Sequence, residues 1–386
     1  MEQQIKNKFK DIFGSEPDIM VSSPGRINLI GEHVDYNGGW VLPAAIDKKI
    51  TFAVSKRPNS RRVSYYAKDF DDTYTTDLDN LTPSTKQSWA NYLTGVVEQF
   101  HSEQPLPHGF DLVFGGDVPL GAGLSSSAAV EVGLSFALNT LFERQKPRIE
   151  LVKLAQRAEN QFVGVQCGIM DMFASAMGKA GSVMRLDCRS LEFQYFPFDF
   201  PDIKIVLCDS AVKHELGDGQ YNIRRQQCEE GIAIIQKTDP SVKTLRDVPF
   251  SILKKYKPAM SPLVFQRCSY VVKEIARVEA ACKDLLKKDL VAFGQKMYET
   301  HTGLSHYYEV SCAESDFLVK KAKHTEGVLG ARQMGGGFGG CTINLVKTEA
   351  VPDFMGKMTA AYFKKWHIDL KTYIVTISDG TTLLDL

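Results

Sequence analysis

Residues Pro119–Val130 form a loop rich in glycine and serine, Pro-Leu-Gly-Ala-Gly-Leu-Ser-Ser-Ser-Ala-Ala-Val, which limits the possible folds more than any other segment. The loop follows an apolar run, Phe110–Phe114, that predicts a strand, and leads into Ser126–Phe142, which has helical periodicity. Such a strand–loop–helix unit suits phosphate, because glycine admits a ligand close to the backbone and the first helical turn offers unpaired N–H groups. A turn in which the serines only cap the helix is the alternative. The loop alone leaves both interpretations open.

The common nucleotide-binding motifs are absent from the sequence. It contains no G-x-x-x-x-G-K-[ST], no H-R-D and no D-F-G, which argues against a P-loop or protein-kinase fold. A second glycine block, Gly335–Gly340, satisfies G-x-G-x-x-G but precedes a predicted strand at Thr342, whereas a dinucleotide-binding motif follows a strand and opens a helix. We therefore expect this block to form a glycine-lined wall against the Pro119–Val130 loop.

Strand and helix patterns are mixed along the chain rather than regularly alternating. This arrangement predicts an α+β fold and argues against a doubly wound parallel sheet. The predicted strands are Ile50–Ser55, Val63–Ala67, Phe110–Phe114, Ser182–Leu186, Ile203–Leu207, Thr342–Val346 and Thr372–Ile377. The predicted helices are Ser126–Phe142, Arg148–Val163 and Val271–Lys287.

The length of 386 residues exceeds what one hydrophobic core usually serves, which is about 250–300 residues, so two domains are expected. Prolines around Phe198–Ile203 suggest a boundary there, giving domains of residues 1–198 and 199–386. The 46 basic and 46 acidic residues provide no overall field to attract nucleic acid or a membrane. With no apolar run of membrane-spanning length and a polar N-terminus, we expect a cytoplasmic protein, whose eight scattered cysteines remain reduced thiols.

Two carboxylates interrupt apolar patterns. Glu159 falls on the apolar stripe of the predicted helix Arg148–Val163, where an unpaired carboxylate would be expensive to bury and calls for a metal ion or a cation. A position at the edge of the stripe, reaching solvent, is the alternative. Asp171 lies among the large apolar residues of Gly168–Phe173 and is either a carboxylate at a helix N-terminus or a site carboxylate in an apolar pocket.

Near the N-terminus, Ser23–Gly39 packs Arg26, Glu32, His33 and Asp35 into one glycine-rich stretch. Closely spaced hydrogen-bond donors and acceptors of this kind suit the hydroxyls of a sugar. A salt-bridged turn would have a similar composition, and composition alone favours it slightly.

Together, these three glycine-rich blocks resemble, in order and separation, the three signature motifs of the GHMP kinases. The first block resembles more narrowly the signature of the galactokinases within that family. Four further segments are similar to galactokinases, and with them the resemblance spans nearly the whole chain. These segments are Trp89–Tyr92, Cys167–Asp171, Tyr221–Arg225 and Tyr308–Ser311.

The resemblance implies a two-domain α+β fold with the active site in the interdomain cleft, and ATP-dependent phosphorylation of D-galactose at its anomeric hydroxyl. The product would be α-D-galactose 1-phosphate, the first committed intermediate of galactose breakdown by the Leloir pathway. By position, Ser127 and Glu159 would hold Mg²⁺, while Trp89 and Tyr92 would lie near the adenine. The ATP phosphates would be wrapped by Gly121, Ala122, Gly123, Leu124, Ser125, Ser126 and Ser127.

The same resemblance assigns the remaining site residues. Galactose would be bound by Glu32, His33, Asp35, Asp171 and Tyr221. Asp171 would accept the proton of the anomeric hydroxyl or orient that hydroxyl, and Arg26 would neutralise charge on the phosphoryl group. Galactose and ATP are then the expected partners, without nucleic acid or membrane, and a monomer is expected.

The sequence leaves two other functions open. A kinase for a related sugar, such as N-acetylgalactosamine or arabinose, would share the fold and much of the first motif. A catalytically silent sugar sensor would share them too, although the complete Ser125–Ala129 run and Asp171 argue against it. One departure is Gly303–His306, where galactokinases often read S-L-R-D, and we expect a changed local contact there.

Overall fold

The computed structural model describes residues 1–213 and 217–386. Its helices are α1 (Glu2–Phe13), α2 (Trp89–Glu103), α3 (Ser126–Leu141), α4 (Arg148–Arg157), α5 (Met170–Met177), α6 (Gly217–Gln236), α7 (Phe250–Leu253), α8 (Pro262–Leu286), α9 (Leu290–Gly303), α10 (Ala313–Lys323) and α11 (Val351–Trp366). Its strands are β1 (Ile19–Asn28), β2 (Trp40–Val41), β3 (Pro43–Arg57), β4 (Arg62–Ala67), β5 (Asp72–Asp77), β6 (Gly109–Gly116), β7 (Ser182–Asp187), β8 (Phe193–Pro197), β9 (Ile203–Lys213), β10 (Val328–Gln333), β11 (Gly339–Lys347), β12 (Lys371–Val375) and β13 (Thr382–Leu384).

The first half of the chain is built on a six-stranded sheet in the order β13-β1-β3-β6-β4-β5. Neighbouring strands are antiparallel except β4 and β6, which run parallel. The edge strand β13 comes from the end of the chain and pairs with β1 through Met20 and Leu384. The division into domains of residues 1–198 and 199–386 stays a prediction. β13 lies within the second of these ranges but is part of the sheet that residues of the first range mainly form.

Strands of the second half form an antiparallel sheet in the order β10-β11-β9-β12, and β2, β7 and β8 form a small third sheet. One hydrophobic cluster contains Phe52 and Leu112 of the first sheet together with Leu207 and Ile343 of the second. Removing these apolar side chains from water stabilises the fold, at about 1.5–3 kcal/mol for each large side chain buried completely. The two halves of the chain therefore share a hydrophobic core. The mixture of helices and largely antiparallel sheets confirms the predicted α+β fold.

Every predicted strand overlaps an observed one, but β1, β2, β5, β8, β10 and β13 were not predicted, and of these β1 lies nearest the site. Its sequence contains Pro24 and Gly25, which usually interrupt strands. In the structure the pairing of β1 with β3 shifts register between Pro24 and Arg26, so Gly25 lies in a bulge. The bulge lets the backbone N–H of Arg26 leave the ladder and donate to the carbonyl of Leu124, at 3.1 Å.

The predicted helix Arg148–Val163 is helical throughout, but its last six residues are not α-helical. The α-helix ends at Arg157, and Ala158–Val163 is a π-helical turn closed by Gly164 in a left-handed conformation. Glu159 lies in this turn and exposes 7% of its surface, so the alternative that it reaches solvent is wrong. A wider π turn changes which side chains face the core, and such turns are common at functional sites.

All eight cysteines are free thiols, as the sequence predicts. In the part of the chain that the structure describes, we find no helix with the length and apolarity needed to cross a bilayer.

Candidate active site

The Pro119–Val130 loop connects β6 to α3 in a conformation that requires its glycines. Gly121 and Gly123 have φ angles of 74° and 75°, a left-handed conformation that costs glycine little. Ser125 also has a positive φ, and α3 begins at the next residue. The Ser125 hydroxyl does not cap the helix but donates to Oδ2 of Asp171, at 2.5 Å. The interpretation in which the serines only cap the helix is therefore wrong for Ser125.

The second glycine block packs against this loop, as the sequence predicts. The backbone N–H of Cys341 donates to the carbonyl of Ala122, at 3.0 Å, and the Met334 N–H donates to the carbonyl of Cys341. A Cβ atom at Gly335 would lie 3.4 Å from the carbonyl oxygen of Gly123. The block is thus a wall of backbone that supports the loop from the second half of the chain.

Arg26 and Asp171 form a bidentate ion pair beside the loop. Nε and Nη2 of Arg26 donate to the two carboxylate oxygens of Asp171, each at 2.7 Å, and Nη1 donates to the carbonyl of Gly123, also at 2.7 Å. The Arg26 side chain is 4% exposed and that of Asp171 is 30% exposed. Burial lowers the pKa of Arg26, but the adjacent Asp171 carboxylate offsets this effect, so the pKa of Arg26 is raised overall. A fixed cation and a reachable carboxylate thus stand together at the loop.

Asp171 opens into a cavity of about 180 Å³, which we call the Asp171 pocket. It contains all the side chains that the sequence analysis assigned to sugar binding, and Glu159 as well. Its lining residues are Arg26, Glu32, His33, Asp35, Glu159, Val165, Cys167, Gly168, Met170, Asp171, Tyr221, Gly335 and Gly336.

Within the pocket, Glu32 is held by the second half of the chain. Its Oε1 accepts hydrogen bonds from the backbone N–H of Gly335, at 2.9 Å, and from Nη2 of Arg332, at 3.0 Å. Arg332 is fully buried and also donates to the carbonyls of Leu29, Asn28 and Gln333. Sequence reasoning missed Arg332, because an isolated arginine in a strand carries no signal of its distant partners.

Asp35 lies against the backbone of Gly168. A Cβ atom at residue 168 would be 1.7 Å from Oδ2 of Asp35, so no larger residue fits there in this geometry. Burial, together with the nearby Asp171 carboxylate, raises the pKa of Asp35 to about 7. Burial likewise raises the pKa of Tyr221 well above its usual range, so this phenol remains protonated. The pocket thus offers polar groups whose cost of burial is repaid when a polyhydroxyl ligand binds them.

Another cavity, of about 140 Å³, is lined in part by residues of the Pro119–Val130 loop, and we call it the Trp89 pocket. Apolar side chains dominate its lining, and the hydroxyls of Ser126 and Ser127 supply polar groups at the start of α3. Such a cavity suits a flat, largely apolar group attached to phosphate. Its lining residues are Ile50, Ala67, Asp69, Phe70, Trp89, Tyr92, Phe114, Leu120, Ser126, Ser127 and Val130.

Ser127 and Glu159, the predicted Mg²⁺ ligands, line different pockets. Glu159 Oε2 accepts a hydrogen bond from the Cys167 thiol, at 3.2 Å, and burial raises the pKa of that thiol. Among the described residues, no three His, Cys, Asp or Glu side chains are close enough together to ligate an ion. A hydroxyl and one buried carboxylate fit Mg²⁺ bound with a nucleotide, since Mg²⁺ takes few protein ligands and keeps waters and phosphates.

Three family models match this chain. The galactokinase galactose-binding signature matches residues 7–56, the GHMP kinase N-terminal domain matches 91–179, and the GHMP kinase C-terminal domain matches 281–364. The galactokinase of Clostridium beijerinckii is 39% identical over 98% of this chain and 97% of its own length. The chain belongs to the galactokinase family.

Other galactokinases agree over the full length. That of Bacillus subtilis is 37% identical over 98% of both chains. The crystal structure of Lactococcus lactis galactokinase complexed with galactose superimposes with a TM-score of 0.94 over 99% of both chains, at 32% identity. The GHMP kinase fold predicted from the sequence is thereby confirmed.

The segment in which this chain departs from many galactokinases packs near the Asp171 pocket. A Cβ atom at Gly303 would lie 2.7 Å from the ring of Tyr270, so the glycine lets that ring come close. The Tyr270 hydroxyl in turn donates to the backbone carbonyl of Glu32, at 3.0 Å. The Gly303–His306 segment therefore contacts Tyr270, which is hydrogen-bonded to the Ser23–Gly39 stretch.

Glu131 is a buried acid that sequence reasoning missed. It is fully buried in α3, and neither carboxyl oxygen has a hydrogen-bond partner. Burial, with Glu159 nearby, raises the pKa of Glu131 well above its usual range. The sequence did contain a sign of this burial. Glu131 follows Ser127 by one helical turn, and the other buried residues of α3 are mostly apolar.

We expect Glu131→Gln to stabilise the fold increasingly as pH rises. Above the unfolded pKa of about 4.3, the unfolded wild type releases a proton that the folded carboxyl retains, so its stability falls by up to about 1.4 kcal/mol per pH unit. The Gln variant has no such loss. Urea denaturation without divalent cations at pH 5, 6, 7 and 8 measures this difference.

The matched control is Glu274→Gln. Glu274 is equally buried, but its carboxylate accepts hydrogen bonds from Thr300 and from the Gly31 N–H and pairs with Arg277. This variant should lose stability at every pH. A constant difference between wild type and Glu131→Gln from pH 5 to pH 8 would contradict the prediction.

Proposed function

We propose that this chain transfers the γ-phosphoryl group of ATP to the anomeric hydroxyl of galactose, giving α-D-galactose 1-phosphate and ADP. The observation that carries the proposal is the position of the Arg26–Asp171 pair. Asp171 lines the Asp171 pocket and also accepts a hydrogen bond from Ser125 of the phosphate loop, while Arg26 donates to Gly123 of the same loop. Acceptor and donor substrates would therefore meet at these two side chains.

The sugar would bind in the Asp171 pocket. Glu32, His33, Asp35 and Tyr221 surround it with donors and acceptors, and the Asp171 carboxylate would face the anomeric hydroxyl. The nucleotide would place its phosphates on Gly121–Ser127 and its adenine in the Trp89 pocket, beside Trp89 and Tyr92. Residues of the loop line the Trp89 pocket, and the Ser125 hydroxyl of the same loop donates to Asp171, which lines the Asp171 pocket.

In the reaction, the anomeric oxygen forms a bond to the γ-phosphorus while the bond from that phosphorus to the β-phosphate oxygen breaks. Asp171 would accept the hydroxyl proton, and ADP would leave. Arg26 would neutralise charge on the moving phosphoryl group, which is the main requirement of a loose transition state. Mg²⁺ bound with ATP, held by Ser127 and Glu159, would supply further neutralisation of the phosphates.

The balance of 46 acidic and 46 basic residues supports small-molecule substrates rather than nucleic acid as partners. In keeping with the sequence analysis, we propose that the protein acts as a monomer in the cytoplasm. Size-exclusion chromatography with light scattering measures the mass of the protein in solution and so tests whether it is a monomer.

An ADP-release assay with Mg²⁺ and ATP tests the proposed reaction. Galactose, N-acetylgalactosamine, arabinose, glucose and mevalonate are compared, and phosphorus NMR identifies the product. We expect turnover with galactose and a sugar 1-phosphate. Preference for N-acetylgalactosamine or arabinose would keep the mechanism and overturn the substrate, whereas galactose binding without turnover would indicate a sensor.

A further inference from the structure

His33 has both ring nitrogens in hydrogen bonds within the protein. Nε2 lies 3.1 Å from the carbonyl oxygen of Gly336, in the glycine block of the second half. Nδ1 lies 2.8 Å from the hydroxyl of Tyr36, and that hydroxyl lies 2.9 Å from the hydroxyl of Tyr308. The Tyr308 hydroxyl is in turn 3.3 Å from the thiol of Cys228. Four side chains thus form a continuous chain that ends at a backbone carbonyl.

The carbonyl decides the direction of every bond in this chain. A carbonyl oxygen can only accept, so the hydrogen of a neutral His33 ring lies on Nε2 and points at Gly336. Nδ1 must then accept from the Tyr36 hydroxyl. The Tyr36 oxygen is left to accept from Tyr308, and the Tyr308 oxygen to accept from the Cys228 thiol. His33, Tyr36 and Tyr308 each donate once and accept once, with the Cys228 thiol as the first donor and the Gly336 carbonyl as the last acceptor, so the chain is satisfied without a charge.

The surroundings keep the His33 ring neutral. Burial lowers the pKa of His33 to about 4, and the Arg224 guanidinium acts in the same direction, while Glu32 and the Gly336 carbonyl oppose them. The rings of Tyr221 and Tyr308 pack against it, with centroids 5.3 and 4.9 Å from the imidazole.

We propose that Tyr36 and Tyr308 are positioning residues that hold His33 as the neutral Nε2–H tautomer, so that His33 meets the sugar only as a hydrogen-bond donor. This inference rests on the proposed function, because it concerns the same pocket. Glu32 and Asp35 then offer carboxyl oxygens to the sugar, and His33 offers its Nε2–H, shared with the Gly336 carbonyl, to a sugar hydroxyl oxygen. The hydrogen bond to Nδ1 is supported through Tyr36 by Tyr308, which is 275 residues from His33 in sequence.

Long-range proton–nitrogen NMR of ¹⁵N-histidine-labelled protein tests the tautomer directly, without substrate. The His33 signals are assigned as those missing from His33→Gln. We expect a protonated Nε2 and an unprotonated Nδ1, with no change between pH 5.5 and 8. An imidazolium, or a proton on Nδ1, would overturn the proposal. Since this measurement needs no turnover, it is independent of whether galactose is the substrate.

Tyr36→Phe and Tyr308→Phe test the positioning role. Losing a neutral hydrogen bond typically costs about tenfold in binding, so Tyr36→Phe should raise KM for galactose about tenfold with little change in kcat. Its Nδ1 signal should move toward that of an unprotonated ring nitrogen that accepts no hydrogen bond. Tyr308→Phe keeps the Tyr36–His33 bond, so both changes should be smaller and in the same direction.

Tyr298→Phe is the matched control, since the Tyr298 hydroxyl is buried and has no hydrogen-bond partner. It removes the same atom and should alter neither the His33 signals nor KM. Thermal melts confirm that each variant folds. A Tyr36→Phe protein with wild-type His33 signals would overturn the proposal, as would a rise in KM no larger than that of the control.

Discussion

Asp171→Asn should reduce phosphoryl transfer to the limit of detection while ATP still binds. The amide has the shape of the carboxylate but cannot accept the hydroxyl proton, and it cannot form the bidentate ion pair with Arg26 that the structure shows. Loss of a general base alone lowers kcat by about 10²–10⁴-fold. Single-turnover kinetics and calorimetric titration with a non-hydrolysable ATP analogue measure the two properties separately.

Asp187→Asn is the control for this experiment. Asp187 also pairs with an arginine, Arg246, at 2.5 Å, but it lies outside the Asp171 pocket. This variant should lose some stability and keep its turnover. Substantial residual activity in Asp171→Asn would remove Asp171 as the proton acceptor and leave it as an orienting group at most.

Gly168→Ala should weaken galactose binding severely while leaving the nucleotide site intact. The added methyl group would lie 1.7 Å from Oδ2 of Asp35, against a contact distance of about 3.5–4 Å between unbonded heavy atoms. Either Asp35 or the backbone before α5 must move, and both line the Asp171 pocket. We expect KM for galactose to rise by about 100-fold or more, equivalent to about 2.8 kcal/mol.

Gly356→Ala is the matched substitution, because a Cβ atom at that position meets nothing within 4 Å. Within α11 the added methyl group should stabilise the helix slightly, by about 0.5–1 kcal/mol. Steady-state kinetics with galactose varied at saturating ATP, then with ATP varied, compare the two variants. An unchanged KM for galactose in Gly168→Ala would show that the Asp35–Gly168 contact is not needed for binding.

Local sequence patterns indicated parts of the candidate site, although they left its function open. The loop with glycines at 121 and 123 was predictable because left-handed backbone and close ligand approach depend on residue type alone. Glu159 was predictable as a buried carboxylate because it continues an apolar stripe that begins at Val152 and Ala155, in the α-helical part of the segment. The resemblance to galactokinases then supplied the residues that the structure brings into the Asp171 pocket, and their individual roles stay predictions.

Other features depend on contacts between residues far apart in the chain. Arg332 holds Glu32 across 300 residues, and Gly168 makes room for Asp35. No pattern within a single segment reports such pairs, because a hydrogen bond or a steric contact is decided by where the packed elements bring two atoms. The strand β1 was missed for a related reason, since the pairing with β3 accommodates Pro24 and Gly25 in a bulge that local propensity opposes.

The sequence by itself thus determined the glycine-rich Pro119–Val130 loop, the glycine wall, the α+β class and the chemical type of each candidate site residue, because these depend on local backbone and side-chain properties. Tertiary structure alone decided the hydrogen-bond direction at His33, since it depends on Gly336, Tyr36 and Tyr308. It also decided that the Arg26–Asp171 pair stands where the loop meets the pocket, because this requires the first sheet, α5 and the loop to pack together.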